Sequence, residues 1–402
     1  MERNKKAYRV LGAATGINFI CAILYVWSVI SKALINELGW TGKEASLPYT
    51  TLTICFVIAM VIFGKIVDLK GPTVPSIVGS ILIGIGLISS GLTTNPIIMI
   101  ITMGILVGVG SGIINVATTA TGVKWFPPEK KGMVTGIVVA GVGLSSAFYS
   151  PLSNYLINIV GISRTFIYLG IFVLIVAIPL ALFIKNPPKD FGFEDKNKKI
   201  IENSHIKDYD WKYMLKDLHF YKLWIMLGLS SSAGLMIIGH ISNIAKLQVN
   251  WEAGFILVIL LSIFNSLGRF LGGLISDKIE RLTLIRIIFI MQGINMFMFA
   301  MYSNVYLLSF GVAIAGLCYG GGFSIFPAMA SDAYGSKNFG MNYGVLFTSW
   351  GIGGVIGPMT AATLLDSLGS YNYAYIVAGI LLAIAIAITF TVNNGKMGEA
   401  RN

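Results

Sequence analysis

The sequence predicts an all-α integral membrane protein with twelve transmembrane helices in two pseudo-symmetric six-helix halves, and three observations carry that expectation. The first is composition. Of 402 residues, 55% are hydrophobic and only 12% charged, with a mean hydropathy of +0.78, whereas a soluble chain carries about 25% charged residues. Too few polar side chains remain to cover a water-facing surface. The same numbers exclude a disordered chain, a disulfide-stapled secreted module and a nucleic-acid binder. The second observation is a set of apolar stretches about 20 residues long, the length that crosses a hydrocarbon core. Twelve occur, at 10–35, 47–66, 75–93, 96–119, 133–157, 165–184, 220–243, 253–276, 284–302, 305–328, 341–365 and 373–392. The third is an internal repeat: Gly64-Lys-Ile-Val-Asp68 after the second stretch returns as Gly273-Leu-Ile-Ser-Asp277 at the end of the eighth, and Gly141-Val-Gly143 returns as Gly351-Ile-Gly353.

Taken in order, the first span follows Arg3, Lys5, Lys6 and Arg9, as a signal peptide would. It is too long for a signal h-region and lacks a small-residue cleavage site, so it reads as a retained span. Lysine and arginine in short loops stay in the cytoplasm. With both termini inside, inner loops and inner span ends hold all but five of the 29 basic residues, which sets the orientation and accounts for the net charge of +11 without a nucleic-acid partner. The longest loop, 185–219, carries Lys196-Asn-Lys-Lys199 beside Glu194, Asp195, Asp208 and Asp210 and reads as a solvated cytoplasmic linker. It separates an N-terminal half, 1–184, from a C-terminal half, 220–402. Two six-span repeats about such a linker are the plan of a secondary transporter that rocks around a midplane site.

Enzyme chemistry finds no support. Gly351-Ile-Gly-Gly-Val-Ile-Gly357 imitates a dinucleotide loop but lies in a membrane span with no strand before it, so it reads as helix packing. There is no P-loop lysine, no metal-ligand spacing and only three histidines; no cofactor or metal is expected. Cys21, Cys55 and Cys318 are far apart in apolar runs and read as small core residues. A non-transporting anion sensor is the alternative in another class, but its output surface would be the 185–219 loop, which has no separate domain.

Polar groups stranded in lipid are expensive unless they face a cavity or a partner. Lys32, Lys65, Lys222 and Arg286 lie near span ends and can snorkel. Arg269 cannot: it sits deep in the eighth span, and no Asp or Glu occupies any span interior. A planar guanidinium without a counter-ion suits a carboxylate held by two parallel hydrogen bonds. Asn265, one turn away on the same face, can assist. Gly268 and Gly272 allow another helix to approach closely. Tyr25, Trp27, Tyr319 and Trp350 are candidates for the walls and gates of a tight pocket. His240, near the outer end of the seventh span, is a candidate carrier of a coupling proton.

Gly64, Asp68 and Gly71 form a Gly-x-x-x-Asp-x-x-Gly string that resembles the major facilitator superfamily, with Gly273 and Asp277 as the second copy and Glu280 in place of the last glycine. An acid beside helix ends can hold positive helix N-termini in one conformation and release them in the other, so these five residues are the candidate conformational switch. Further strings resemble the oxalate/formate antiporter family and its monocarboxylate-transporter relatives over nearly the whole chain: Lys124-Trp-Phe-Pro127, Phe220-Tyr-Lys-Leu-Trp224, Ser232-Ala-Gly-Leu-Met236, Tyr319-Gly-Gly-Gly-Phe323 and Asn342-Tyr-Gly344. That resemblance implies the major facilitator fold and assigns the substrate carboxylate to Arg269. Two departures bear on cargo. The family's oxalate exchanger has a lysine in the eleventh span where Trp350 follows Phe347-Thr-Ser349, and relatives often carry tyrosine where Asn115 stands. One arginine and a monoanion make a neutral site, whereas oxalate would leave a net negative charge in low dielectric, costing about several kcal/mol. The expectation is a secondary-active carrier of small monocarboxylate anions resembling formate, lactate or pyruvate, by proton symport or anion exchange, acting as a monomer in the cell membrane; an oxalate:formate-type antiporter is the alternative.

Overall fold

The computed structural model describes residues 2–188 and 208–392, and all regular structure there is helical. Span 1 comprises Glu2–Cys21, a short 3-10 turn Ile23–Val26, and Trp27–Leu38. Span 2 is Gly42–Lys70 and span 3 Thr73–Gly91. Span 4 runs through Pro96–Met99, a π-helical stretch Ile100–Val107, and Gly108–Trp125. Spans 5 and 6 share one helical run, Lys131–Ala181, divided at Gly161. Spans 7 to 12 are Leu218–Val249, Phe255–Ser276, Arg281–Phe299, Val305–Tyr334, Phe339–Leu368 and Asn372–Thr391.

Eleven of these helices are long and apolar enough to cross a membrane, and the division at Gly161 makes the crossings twelve. Gly161 has φ +78°, a region L-residues with a Cβ avoid, and the Ile162 amide freed by the turn donates to Glu37 at 2.9 Å.

Span 1 departs from the continuous helix expected over 10–35. It breaks after Cys21, and span 5 covers the carbonyls so released: Tyr149 donates to the Ile20 carbonyl at 2.6 Å and Ser145 to that of Ala22 at 3.2 Å. The break is therefore satisfied inside the bundle, the condition under which irregular backbone is tolerated at membrane depth.

Span 8 packs on span 10 and span 5, while span 11 packs on span 7 and span 2. Glycine makes the first of these contacts close. A Cβ at Gly268 would collide with the Leu317 backbone, and one at Gly320 with the Asn265 carbonyl. Gly320→Ala is accordingly expected to lower stability by about 1–3 kcal/mol, seen as a fall in melting temperature of the purified protein.

The loop expected over 185–219 is described only at its ends; the charges read at 194–199 lie outside the described residues. Its far end is less solvated than expected. Asp210 caps a helical turn, Trp211–Met214, the Tyr209 amide donates to the Tyr334 carbonyl at 3.0 Å, and Asn342 donates to the Tyr209 carbonyl at 3.0 Å. These bonds fasten the segment to the adjacent ends of spans 10 and 11.

Candidate functional site

Arg269 is wholly buried on span 8. Its Nε donates to Asn265 Oδ1 at 2.9 Å, Nη1 to the Val139 carbonyl at 2.9 Å, and Nη2 to the Tyr25 hydroxyl at 3.4 Å. The Phe323 ring lies across the guanidinium, 4.1 Å from Cζ to the centroid. A guanidinium has five N–H donors, so one remains on each terminal nitrogen. No carboxylate pairs with it among the described residues. Asn265 is thus an orienting acceptor in this conformation: its oxygen holds Nε and turns the fork towards span 1.

Three further sequence candidates join the arginine. Trp350 donates through Nε1 to the Tyr319 hydroxyl at 2.8 Å, which ties span 11 to span 10. Tyr25 reaches the cluster because it sits in the 3-10 turn after the break in span 1. Trp350 is held by stacking on Phe347 at 5.4 Å and by Phe56 at 5.3 Å. Asn115 lies at the rim, accepting from Tyr343 at 3.4 Å. A small cavity is lined by Tyr25, Asn115, Phe323 and Trp350 together with Asn18 and Ser111. A second small cavity is lined by Tyr319 and Phe323 with Ser231 and Gln292. No charged side chain lines either.

Two sequence candidates are not brought to this cluster. Trp27 stacks on Tyr49 at 5.9 Å and donates to the Ala45 carbonyl at 3.2 Å, because it falls beyond the span 1 break, where the chain has turned towards span 2. His240 is bonded to Tyr371 and the Pro358 carbonyl, each at 3.1 Å, a position between spans 7, 11 and 12. Phe323 is the main residue that sequence reasoning missed; its signal was the four-residue spacing from Tyr319, which puts both rings on one helical face.

The repeated acids occupy equivalent places at one end of the bundle. Asp68 accepts from the Gly340 and Met341 amides at 3.1 and 2.9 Å and pairs with Lys124 at 3.0 Å. Asp277 accepts from the Gly132 and Met133 amides at 2.8 and 2.7 Å and pairs with Arg281 at 3.3 Å. Spans 11 and 5 have no side-chain cap of their own, so each acid, from the opposite six spans, supplies the missing N-terminal acceptor. Gly64 and Gly273 make this possible: a Cβ on either would strike the backbone of Gly340 or Gly132. Gly71, with φ +86°, turns the chain out of span 2, whereas Glu280 has φ −56° and needs no glycine. Arg281 also reaches Asp332 at 2.6 Å, a tie with no copy around Asp68 among the described residues. At this end span 2 is in backbone contact with span 11, and span 8 with span 5.

Comparison with known proteins agrees with this architecture. The Major Facilitator Superfamily model matches residues 11–299 and 237–401. The chain is 28% identical over 344 residues to the uncharacterized MFS-type transporter YhjX of Escherichia coli (strain K12), covering 84% of this chain and 83% of that protein. It is 25% identical over 397 residues to the oxalate:formate antiporter of Oxalobacter formigenes, covering 97% and 92%. Among solved structures, the transporter FucP in its outward conformation matches with a TM-score of 0.72 over 96% of this chain and 99% of that one, at 12% identity, a likeness of fold alone. A whole-chain family match, twelve apolar crossings and paired acids on opposing helix ends lead to one conclusion: the chain belongs to the Major Facilitator Superfamily and is a multi-pass membrane transporter, not an enzyme.

Proposed function

We propose that this transporter carries small monocarboxylate anions across the cell membrane by alternating access between two halves, 1–184 and 220–402, with Arg269 holding the carboxylate. The observation that carries the proposal is the buried guanidinium with a donor left on each terminal nitrogen and no counter-ion among the described residues. Cargo is then the counter-ion, and a monoanion leaves the site neutral. Tyr25, Phe323 and Trp350 line the adjoining cavity with Asn115 and Ser111, and Tyr319 joins them through its hydrogen bond from Trp350. Asp68 and Asp277 hold the cytoplasmic end closed, both termini being cytoplasmic, and a single chain contains the whole site.

The described residues of the cluster include no carboxylate or imidazole, which favours exchange of one anion for another over proton symport. Counterflow into liposomes containing only this protein tests the proposal, with formate, acetate, lactate, pyruvate and oxalate, with and without a pH gradient. Exchange of monocarboxylates that ignores the gradient is expected. Acceleration by the gradient would establish symport, and no exchange of any monocarboxylate would remove the proposal.

Selectivity supplies a sharper test. Trp350→Lys introduces a cation beside Tyr319 and is expected to raise the affinity for oxalate relative to formate by about tenfold, since it offsets part of the dianion's uncompensated charge. An unchanged preference in a folded variant would show that charge at this place does not select cargo.

A further inference from the structure

A cationic seam lies where spans 7, 9 and 12 meet, separate from the cluster around Arg269. Lys222 on span 7 donates to the Thr391 carbonyl at 2.5 Å. Arg286 on span 9 donates through Nε to the Thr389 hydroxyl at 3.1 Å and through Nη2 to the Thr389 carbonyl at 2.9 Å. Both cations converge on the last turn of span 12, whose final carbonyls have no partner within the helix.

Capping accounts for their direction but not for their charge. A helix C-terminus carries about half a negative charge, whereas two protonated side chains carry two positive charges. Neither forms an ion pair among the described residues. Donors are also left over: an ammonium has three N–H groups and a guanidinium five, and only one and two of these are engaged. The adjoining surface is apolar. Arg286 lies 4.8 Å over the ring of Phe390, which is 68% exposed, and Ile287, next to Arg286 in the chain, and Leu218, one turn before Lys222, are also exposed. Cations with no acid partner among the described residues, at the rim of an exposed apolar face, fit a molecule that joins a phosphate to acyl chains.

We propose that this seam binds the headgroup of an anionic phospholipid, with Lys222 and Arg286 on the phosphate oxygens and the acyl chains lying along span 12 beside Phe390. The arginine fork grips phosphate by two points and the lysine adds a point charge. Basic residues near a membrane surface are drawn to anionic lipid in the same way. The site does not depend on which cargo Arg269 takes.

Purified full-length protein in neutral detergent is titrated with phosphatidylglycerol, with phosphatidylcholine of the same chains and with inorganic phosphate, while the melting temperature is followed. Phosphatidylglycerol is expected to raise the melting temperature saturably, whereas phosphatidylcholine and phosphate leave it unchanged. Lys222→Gln and Arg286→Gln should each raise the half-saturating concentration about fivefold, Arg286→Lys should change it less, and the double variant should lose the response. A double variant that melts like the parent without lipid yet responds equally to phosphatidylglycerol would overturn the proposal. Equal stabilisation by phosphatidylcholine or by inorganic phosphate would also overturn it, as would two single variants with unchanged half-saturation should the double variant not fold.

Discussion

Arg269→Ala is expected to abolish monocarboxylate binding and transport together, and Arg269→Lys to restore little of either. Truncating one member of a buried charged pair costs about 2–5 kcal/mol, a loss of about 30-fold to several thousand-fold in affinity. Lysine keeps the charge but has one nitrogen, and Arg269 uses separate nitrogens to hold Asn265, Val139 and Tyr25, so the substituted cation has no preset direction. Both variants also leave the Asn265 oxygen and the Val139 carbonyl without their donor, so lower intrinsic stability is expected whatever the cargo. The decisive measurement is therefore the additional thermal stabilisation caused by cargo, which scales with affinity for the folded protein. A folded Arg269→Ala protein stabilised by a monocarboxylate as strongly as the parent would sink the assignment.

Asp68→Asn and Asp277→Asn are expected to act on rate and leave cargo affinity within a few-fold. Each substitution weakens two charge-assisted bonds to a helix N-terminus and removes an ion pair, to Lys124 or Arg281. Hydrogen bonds to charged groups are worth about 1.5–3 kcal/mol each, so the balance between closed and open forms at this end should shift about 10- to 100-fold. Asp277 lies eight residues from Arg269 along span 8, about 12 Å by helical rise, too far to touch the same anion. Asp277→Asn should have the smaller effect, because Arg281 still ties to Asp332. The test pairs transport rate in liposomes with binding to purified protein. Loss of binding with an intact fold would count against the switch role, and so would unchanged rates in both variants.

Much of the molecule was legible before folding was considered. Hydrocarbon thickness and backbone satisfaction leave a chain of this hydropathy one local solution, a series of helices about 20 residues long, so the spans followed from apolar runs. Their bounds did not: the helices run past the apolar stretches, as span 2 does from Gly42 to Lys70 around the stretch 47–66, where hydropathy gives no signal. Arg269 stood out because a full charge deep in a span has few uses. The paired acids stood out because two copies in register are hard to produce by chance.

Trp27 and Phe323 mark the boundary between what sequence by itself determined and what only tertiary structure decided. Composition, span count, repeat and the buried arginine are properties of local runs and charges, so the sequence determines them alone. Which aromatic rings meet that arginine depends on the break after Cys21, and hydrogen bonds from Tyr149 and Ser145 more than 100 positions away satisfy it. With the break, Tyr25 faces the cavity and Trp27 turns to Tyr49; a continuous helix would place both differently. Likewise sequence marks Asp68 as an acid suited to helix N-termini, but only the fold shows that the helix is span 11, whose N-terminus has no side-chain cap of its own. In both cases a polar group lacks its partner within its own helix and lipid offers none, so the outcome rests on which distant segment supplies the hydrogen bond.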